Sequence, residues 1–170
     1  LHEYQRQRVL TFVHPTADPL GTSYNSIQAI IAVGSGTFFG KGLSEGTQSG
    51  LRFLPERHTD FIFATLAEGL GFIGASIVVI ALLFLCFRVF VIYSHSEDRF
   101  TKVFASCVFG FFLIQGFVNI GMNVGYLPIV GVTLPFVSFG GSSLLANFIF
   151  LGLLSSLSVS QKNKHVLEIR

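Results

Sequence analysis

The feature that most constrains this chain is a long run without charge near its C-terminal end. Residues 103–161 contain no Asp, Glu, Lys, Arg or His, and residues 69–87 form a second uncharged run. A helix that crosses a bilayer needs about 20 predominantly apolar residues, so the longer run has room for two spans and the shorter run for one. Only 12% of the residues are charged, against roughly 25% in soluble domains. The sequence therefore predicts an all-α polytopic membrane protein with about three transmembrane helices.

Polar segments between the uncharged runs predict how the chain is organised. We expect residues 1–60 to form a long extracytoplasmic loop, residues 61–160 to hold three spans at about 61–93, 103–124 and 142–160, and residues 161–170 to form a basic tail. Basic residues in the tail and in the 94–102 turn place both on the cytoplasmic face by the positive-inside rule. Residues 1–60 and 125–141 of this multi-pass chain would then lie on the outer side of the membrane.

The long first segment is mixed in polarity and rich in glycine, and irregular segments of this length tend to be functional. Within it, Ile27, Ile30 and Ile31 recur at near-helical spacing, which predicts a short amphipathic or re-entrant helix that ends at the Gly34/Gly36 pair. The stretch GSGTFFGKG that follows does not match a Walker A phosphate loop. It predicts a flexible loop whose amides, with Lys41, meet an anionic group.

An ionisable cluster, FLPERHTDFIFA, lies directly before the first span. Glu56 and Asp60 are four residues apart with His58 between them, so in a helix both carboxylates would face one side, about 6 Å apart. One carboxylate would be a general base and the other its electrostatic partner, or both would be ligands of a hard divalent cation. The alternative is a solvated helix start, in which Thr59 or Asp60 is the N-cap of the helix that begins at Phe61.

Polar residues inside the spans are further candidates. Glu68 lies eight residues beyond Asp60, and an acid this far into an apolar span is a functional candidate unless it lies at headgroup level. Gln115, Asn119 and Asn123 form a stripe that should face protein or a wet cavity, and helix–helix packing is its commoner explanation.

Near the third span, LPFVSFGGSS at 134–143 offers hydroxyl groups and exposed amides for an anionic ligand. The alternative is a tight turn that packs against other helices. The net charge of +2 is too small to indicate a nucleic-acid partner.

Several stretches, spread in order over residues 4–145, resemble the SEDS family of cell-wall polymerases. They are YQRQRVLTF, DPLG, IAVGSG, GKG, GTQ, FLPERHTDFIFA, NIGM and LPIVGVTLPFVSFGGSS, together with the basic tail. The Arg in ERHTDF and the IVGV before TLPF are more similar to the RodA branch of the family than to FtsW, its division branch. The chain departs from the family pattern at Gly69, where a second Glu is common, and at Phe139, where a Tyr is common.

The resemblance implies a peptidoglycan glycosyltransferase that polymerises lipid II into glycan strands on the outer membrane surface, for cell elongation and cell shape. Its implied partners are lipid II, membrane lipid and a class B penicillin-binding protein, which is a transpeptidase. The family's essential aspartate lies in its HTDF motif, which is Asp60 here. Because family members have about ten spans, the chain is expected to be the C-terminal portion, from the end of span seven onward.

Roles for the other candidates follow as expectations within that resemblance. Arg52, Arg57 and Lys41 are the expected cations for the leaving diphosphate, and Glu56 would tune Asp60 or share a divalent cation, Mg or Mn, with it. Further substrate contacts are expected at Glu68, Ser138 and Ser142. Two alternatives remain: a lipid II flippase, for which residues 103–161 offer no ionisable path, and a truncated, non-catalytic membrane subunit.

Overall fold

The chain is all-helical in the part that the structure describes. This computed structural model describes residues 22–42 and 58–168. Its four helices are α1 (Thr22–Ser35), α2 (Ile62–His95), α3 (Arg99–Val124) and α4 (Gly141–Glu168). By length and composition, α2, α3 and residues Gly141–Val159 of α4 are able to cross a membrane. The predicted all-α class with three membrane helices is confirmed. Residues 1–21 and 43–57 of the loop predicted at 1–60 lie outside the described residues.

Helix α1 forms where the isoleucine spacing predicts it, but the isoleucines are not its buried face. Ile30 and Ile31 are 44% and 43% exposed, whereas Ala29 and Ala32 are completely buried. The two alanines pack with Phe61 and Ala64 at the start of α2. Small side chains let two helix backbones approach closely, so α1 uses the face that permits the closest contact with α2.

Helix α2 is broken at Gly71, which has φ 70° and ψ −167°. A break inside a span releases backbone N–H and C=O groups that lipid cannot satisfy. The segment 37–42, which follows α1, lies against the break and bonds these groups. The bonds run from Phe72 N to Thr37 O (2.9 Å), from Ile73 N to Phe38 O (3.3 Å), from Lys41 N to Glu68 O (3.0 Å) and from Gly42 N to Gly69 O (3.0 Å).

The close approach at this break requires glycine on both sides. Gly40 and Gly71 both have positive φ, 79° and 70°. A Cβ added at Gly40 would stand 2.7 Å from the nitrogen of Gly71, and one added at Gly71 would stand 2.6 Å from the carbonyl oxygen of Phe38. Both distances are shorter than any normal carbon contact, so the backbones touch only because these side chains are absent.

Helix α3 has a local signal at each end. The Asp98 side chain accepts a hydrogen bond from Thr101 N, and Gly125 ends the helix in the left-handed conformation at φ 85°. These are the N-cap and C-terminal residue types that helices prefer. The cap places the start of α3 at Arg99, four residues before the uncharged run begins.

The membrane helices pack around an apolar core shared by α2, α3 and α4. Its buried members are Cys86, Val89, Ala105, Val108, Phe112 and Leu154. The ring of Phe136, from the segment between α3 and α4, lies 5.6 Å from the ring of Phe112 and 5.4 Å from that of Phe148. This contact anchors the 125–140 segment to α3 and α4.

Candidate functional site

The end of the ionisable motif is bonded to the segment that precedes α4. The carbonyl of His58 accepts a hydrogen bond from the N–H of Phe139 at 2.8 Å. The carbonyl of Thr59 accepts one from the hydroxyl of Ser138 at 2.6 Å. The same hydroxyl accepts a hydrogen bond from the N–H of Leu134 at 2.7 Å. Ser138 therefore joins the ionisable motif to the turn at residues 134–138. Ser138 is buried, and its hydroxyl is used within the protein.

The next carbonyl, that of Asp60, is held by two side-chain amides of α3. Asn119 Nδ2 donates to it at 3.1 Å and Asn123 Nδ2 donates to it at 3.0 Å. Asn119 also donates to the carbonyl of Val132 at 2.6 Å, and the Oδ1 of Asn123 accepts from the N–H of Ala64 at 3.2 Å. Three consecutive carbonyls, from His58 to Asp60, are therefore bonded to distant parts of the chain.

The carboxylate of Asp60 lies beside Gly131 in the segment between α3 and α4. Its Oδ2 is 3.3 Å from the position where a Cβ of Gly131 would stand, and the residue is half-buried. Gly131 has φ 74°, a backbone conformation that favours glycine. The absence of a side chain at this position leaves room beside the carboxylate.

The alternative interpretation of Thr59 or Asp60 as a helix N-cap is wrong. Helix α2 begins one residue later, with Phe61 at the N-cap position and no side chain capping it. The Oγ1 of Thr65, in the first turn, donates to the carbonyl of Phe61 at 3.1 Å. Because the cap lies after Asp60, that residue belongs to the turn before the helix.

The polar stripe of α3 faces protein, as one of its two interpretations predicts. Asn119 and Asn123 are completely buried, and the Nε2 of Gln115 donates to the hydroxyl of Thr133 at 3.0 Å. The commoner explanation, helix–helix packing, is incomplete, because the two asparagines bond the backbone of the ionisable motif. Sequence reasoning found the stripe through its spacing of four residues but assigned it no connection with Asp60.

A pocket opens between the motif and the start of α4. It has a volume of about 470 Å³ and is lined by His58, Ile62, Val137, Ser138, Phe139, Gly140, Gly141 and Leu144. His58 and Phe139 are exposed there, and Ser142 is exposed in the first turn of α4. The N-terminal end of a helix carries partial positive charge and favours anions, so this end of α4 suits a negatively charged group.

Lys41 and Glu68 lie together at the break in α2, away from the pocket. Glu68 is completely buried, about 12 Å along the helix from Asp60 at 1.5 Å per residue. The Lys41 side chain is exposed. The N–H groups of Gly40, Lys41 and Gly42 donate to carbonyls of this chain. The amides of Lys41 and Gly42 bond the broken helix, and the amide of Gly40 bonds the carbonyl of Gly36. The prediction that these three amides bind an anion is therefore wrong, whereas the role of the Lys41 side chain stays a prediction.

Three candidates, Arg52, Glu56 and Arg57, lie outside the described residues, so their distances to Asp60 stay predictions. Within residues 22–42 and 58–168, no group of three or more His, Cys, Asp or Glu side chains is arranged to hold a metal ion. Asp60 is therefore the carboxylate that the described residues contribute to the site at the end of the ionisable motif.

With this geometry in view, comparison with known proteins identifies the class of protein. A family model named for FtsW, RodA and SpoVE, and described as a cell cycle protein, matches residues 1–163. The chain belongs to this family, and the resemblance seen in the sequence is confirmed.

Named relatives agree with this family assignment. The chain is 47% identical over 162 residues to the peptidoglycan glycosyltransferase MrdB of Escherichia coli strain K12, covering 95% of this chain and 44% of that protein. It is 44% identical to the peptidoglycan glycosyltransferase RodA of Treponema pallidum, covering 95% of this chain and 37% of that protein. It is 45% identical to a probable peptidoglycan glycosyltransferase FtsW of Idiomarina loihiensis, covering 89% of this chain and 37% of that protein.

The solved structure is described as "Structural coordination of polymerization and crosslinking by a peptidoglycan synthase complex". It matches with a TM-score of 0.73 and 32% identity, covering 95% of this chain and 43% of that chain. The chain therefore spans less than half the length of these relatives.

Proposed function

We propose that this chain forms part of a peptidoglycan glycosyltransferase that polymerises lipid II into glycan strands for cell elongation and cell shape. The observation that carries the proposal is the Asp60 site. The backbone of Asp60 is held by two amides of α3 at 3.0–3.1 Å, while its carboxylate is half-buried beside Gly131. A carboxylate at the outer end of a membrane helix suits a reaction between lipid-linked sugars at the membrane surface.

In the proposed reaction, the Asp60 carboxylate removes the proton from the 4-hydroxyl of the acceptor's N-acetylglucosamine. The oxygen then attacks the anomeric carbon of the donor's N-acetylmuramic acid, and the bond to undecaprenyl diphosphate breaks. A general base must lie within hydrogen-bond reach of the proton that it removes. A fully hydrated carboxylate is a weak base, so the half-buried position of Asp60 favours this role.

The leaving diphosphate needs positive charge as its bond breaks. We assign this role to Arg57 and Arg52, whose planar guanidinium groups bind phosphate in a bidentate manner, and to Lys41, whose side chain is exposed. The start of α4, with Ser142 exposed in its first turn, adds the partial positive charge of a helix N-terminus.

A divalent cation, Mg or Mn, is a further element of the proposal. Both ions prefer oxygen ligands, and Asp60 supplies such a ligand at an accessible position. One carboxylate is too few for a protein site, so the ion would also need Glu56 or the diphosphate oxygens of the substrate. When bound, the cation would neutralise the charge on the leaving group.

The proposed setting is the bacterial plasma membrane, with the 1–60 segment outside and the C-terminal end in the cytoplasm, as the basic turn and tail indicate. The proposed partner is a class B penicillin-binding protein, which would cross-link the strands as they form. The peptidoglycan synthase complex that the chain resembles supports a partner of this kind.

The test is lipid II polymerisation by the complete protein as its cell makes it, purified in detergent with its transpeptidase partner. Asp60→Asn keeps the size of the side chain and removes the base, so glycan product should fall by on the order of 10²- to 10⁴-fold. Asp98→Asn is the matched control, because it changes an aspartate at the far end of α2 and Asn is an equally good cap.

Normal glycan ladders from Asp60→Asn would reject Asp60 as the base. No ladders from the wild-type protein, together with lipid II transfer across vesicle membranes, would favour the flippase. Removing divalent ions with a chelator should lower the wild-type rate, and adding back Mg²⁺ or Mn²⁺ should restore it. An unchanged rate would reject the cation.

A further inference from the structure

We propose that Asn119 and Asn123 are positioning residues for the Asp60 carboxylate and act through the Asp60 backbone. The inference rests on the proposed function, because it assumes that Asp60 reacts with substrate. Both side chains donate to the backbone carbonyl of Asp60, at 3.1 and 3.0 Å. Fixing that carbonyl fixes the direction in which the side chain leaves the backbone.

The Asn123 side chain takes the place of one backbone hydrogen bond at the point where α2 begins. In a regular helix the N–H of Ala64 would donate to the carbonyl four residues earlier, which is that of Asp60. Here the Asn123 amide bonds both groups: its Oδ1 accepts from Ala64 N at 3.2 Å and its Nδ2 donates to Asp60 O at 3.0 Å. Joining the two groups through an inserted amide keeps Asp60 in the turn before the helix.

The surrounding groups require this orientation of the Asn123 amide. Its Nδ2 faces two carbonyl oxygens, those of Asp60 at 3.0 Å and Asn119 at 2.8 Å. The opposite orientation would place Oδ1 against both carbonyls and Nδ2 against the N–H of Ala64. All three contacts would then be repulsive. The Oδ1 of Asn123 is therefore the acceptor and its Nδ2 is the donor.

Asn119 links Asp60 to the segment that its carboxylate faces. One Nδ2 donates to Asp60 O at 3.1 Å and to Val132 O at 2.6 Å. Val132 follows Gly131, beside which the Asp60 Oδ2 lies. A single amide therefore sets the separation between the backbone of the base and the loop that forms the side of its site.

The choice of bonding partners separates this role from ordinary packing. Gln115, on the same stripe, bonds a threonine hydroxyl between α3 and α4, whereas the asparagines donate to the backbone of the reacting residue. Both are completely buried, and burial of an amide costs free energy unless its hydrogen bonds are made. A displacement of about 1 Å in a catalytic group is enough to lower a rate by about 10²-fold.

The experiment compares Asn119→Ala and Asn123→Ala with Asn147→Ala in the complete protein with its partner. Asn147 is a matched control, because it is also a buried asparagine in a membrane helix, but its Oδ1 has no hydrogen-bond partner in the described structure. The measurements are kcat and KM for lipid II, together with amide hydrogen exchange of the peptide that contains Ala64.

We expect Asn123→Ala to lower kcat by about 10²-fold, to change KM for lipid II by less than about threefold, and to speed exchange at Ala64. Asn119→Ala should lower kcat with slower exchange at Ala64 than Asn123→Ala, because Asn123 still accepts that N–H. Asn147→Ala should retain wild-type kcat and exchange. If Asn123→Ala does not fold, the kcat and KM of Asn119→Ala decide the question.

Folded Asn119 or Asn123 variants with wild-type kcat would overturn the inference. Equal losses of kcat in all three variants would also overturn it, since they would indicate general damage to the membrane helices. An Asp60→Asn arm keeps the two proposals separate. If Asp60→Asn polymerises normally, the assignment of the base fails; if it is inactive while the asparagine variants are not, only the positioning role fails.

Discussion

The first part of α2 is attached to the rest of the chain at two places, and the attachments are of opposite kinds. At residues 58–64, side chains of α3 and of the 132–139 segment reach the backbone of the motif. At residues 68–73, the backbone of the 37–42 segment bonds the backbone of the broken helix directly. The first place depends mainly on side-chain hydrogen bonds, and the second on a backbone contact that is possible because Gly40 and Gly71 have no side chains.

This difference indicates how each place tolerates change. At the motif, removing one side chain removes one or two of the hydrogen bonds to residues 58–64 and leaves the others, so the effects should be graded. At the break, adding a single methyl group would bring it within 2.7 Å of backbone atoms, so one small change should disturb the whole contact. The predictions below test this contrast in order of decreasing effect.

The largest effect is expected for Gly71→Ala. Its φ of 70° and ψ of −167° lie in a region that is essentially restricted to glycine, with a cost of about 1–3 kcal/mol, and the added methyl group would overpack at a similar cost. We expect the free energy of unfolding to fall by about 4 kcal/mol, measured by reversible unfolding in bicelles. The control is Gly110→Ala, where a Cβ meets nothing within 4 Å. A loss for Gly71→Ala no larger than for this control would remove the contrast.

An intermediate effect is expected for Ser138→Ala. This change leaves the carbonyl of Thr59 and the N–H of Leu134 without the hydroxyl that bonds both at 2.6 and 2.7 Å. Unsatisfied buried groups cost about 1–3 kcal/mol, and the same unfolding assay should show a loss in that range. Ser143→Ala, which removes only a local bond to Gly140 O at 3.0 Å, should lose less. Equal losses would mean that the long-range bonds add nothing to the motif.

The smallest effect is expected for Asp98→Ala, which removes two local hydrogen bonds at the start of α3. The Asp98 carboxylate accepts from the N–H and the hydroxyl of Thr101, both at 3.0 Å. Loss of an N-cap costs about 1 kcal/mol, and Asp98→Asn should retain most of the stability because Asn is also a good cap. Thermal unfolding would measure the stability of both variants. A loss for Asp98→Ala larger than for Ser138→Ala would reverse the order expected from local and long-range bonds.

Much of this architecture can be predicted because a bilayer imposes strong local rules. The number of membrane helices follows from uncharged runs long enough to cross it, and the cap at Asp98 and the terminator at Gly125 act within a few residues of the helix ends that they define. The motif around Asp60 is also visible in the sequence, because an ionisable cluster beside a span stands out against apolar neighbours. The face of α1 that is buried, formed by Ala29 and Ala32, does not follow from the isoleucine spacing, because it depends on how closely α2 approaches.

The sequence by itself determined the class of fold, the places of the membrane helices and the candidate base. Tertiary structure alone decided the break in α2 and the bonds that hold Asp60. Asn119 is 59 residues from Asp60 along the chain, and Ser138 is 79 residues from Thr59. Spacing within one helix shows that two asparagines share a face. It does not show which backbone that face meets, because the partner is chosen by the packing of the whole chain.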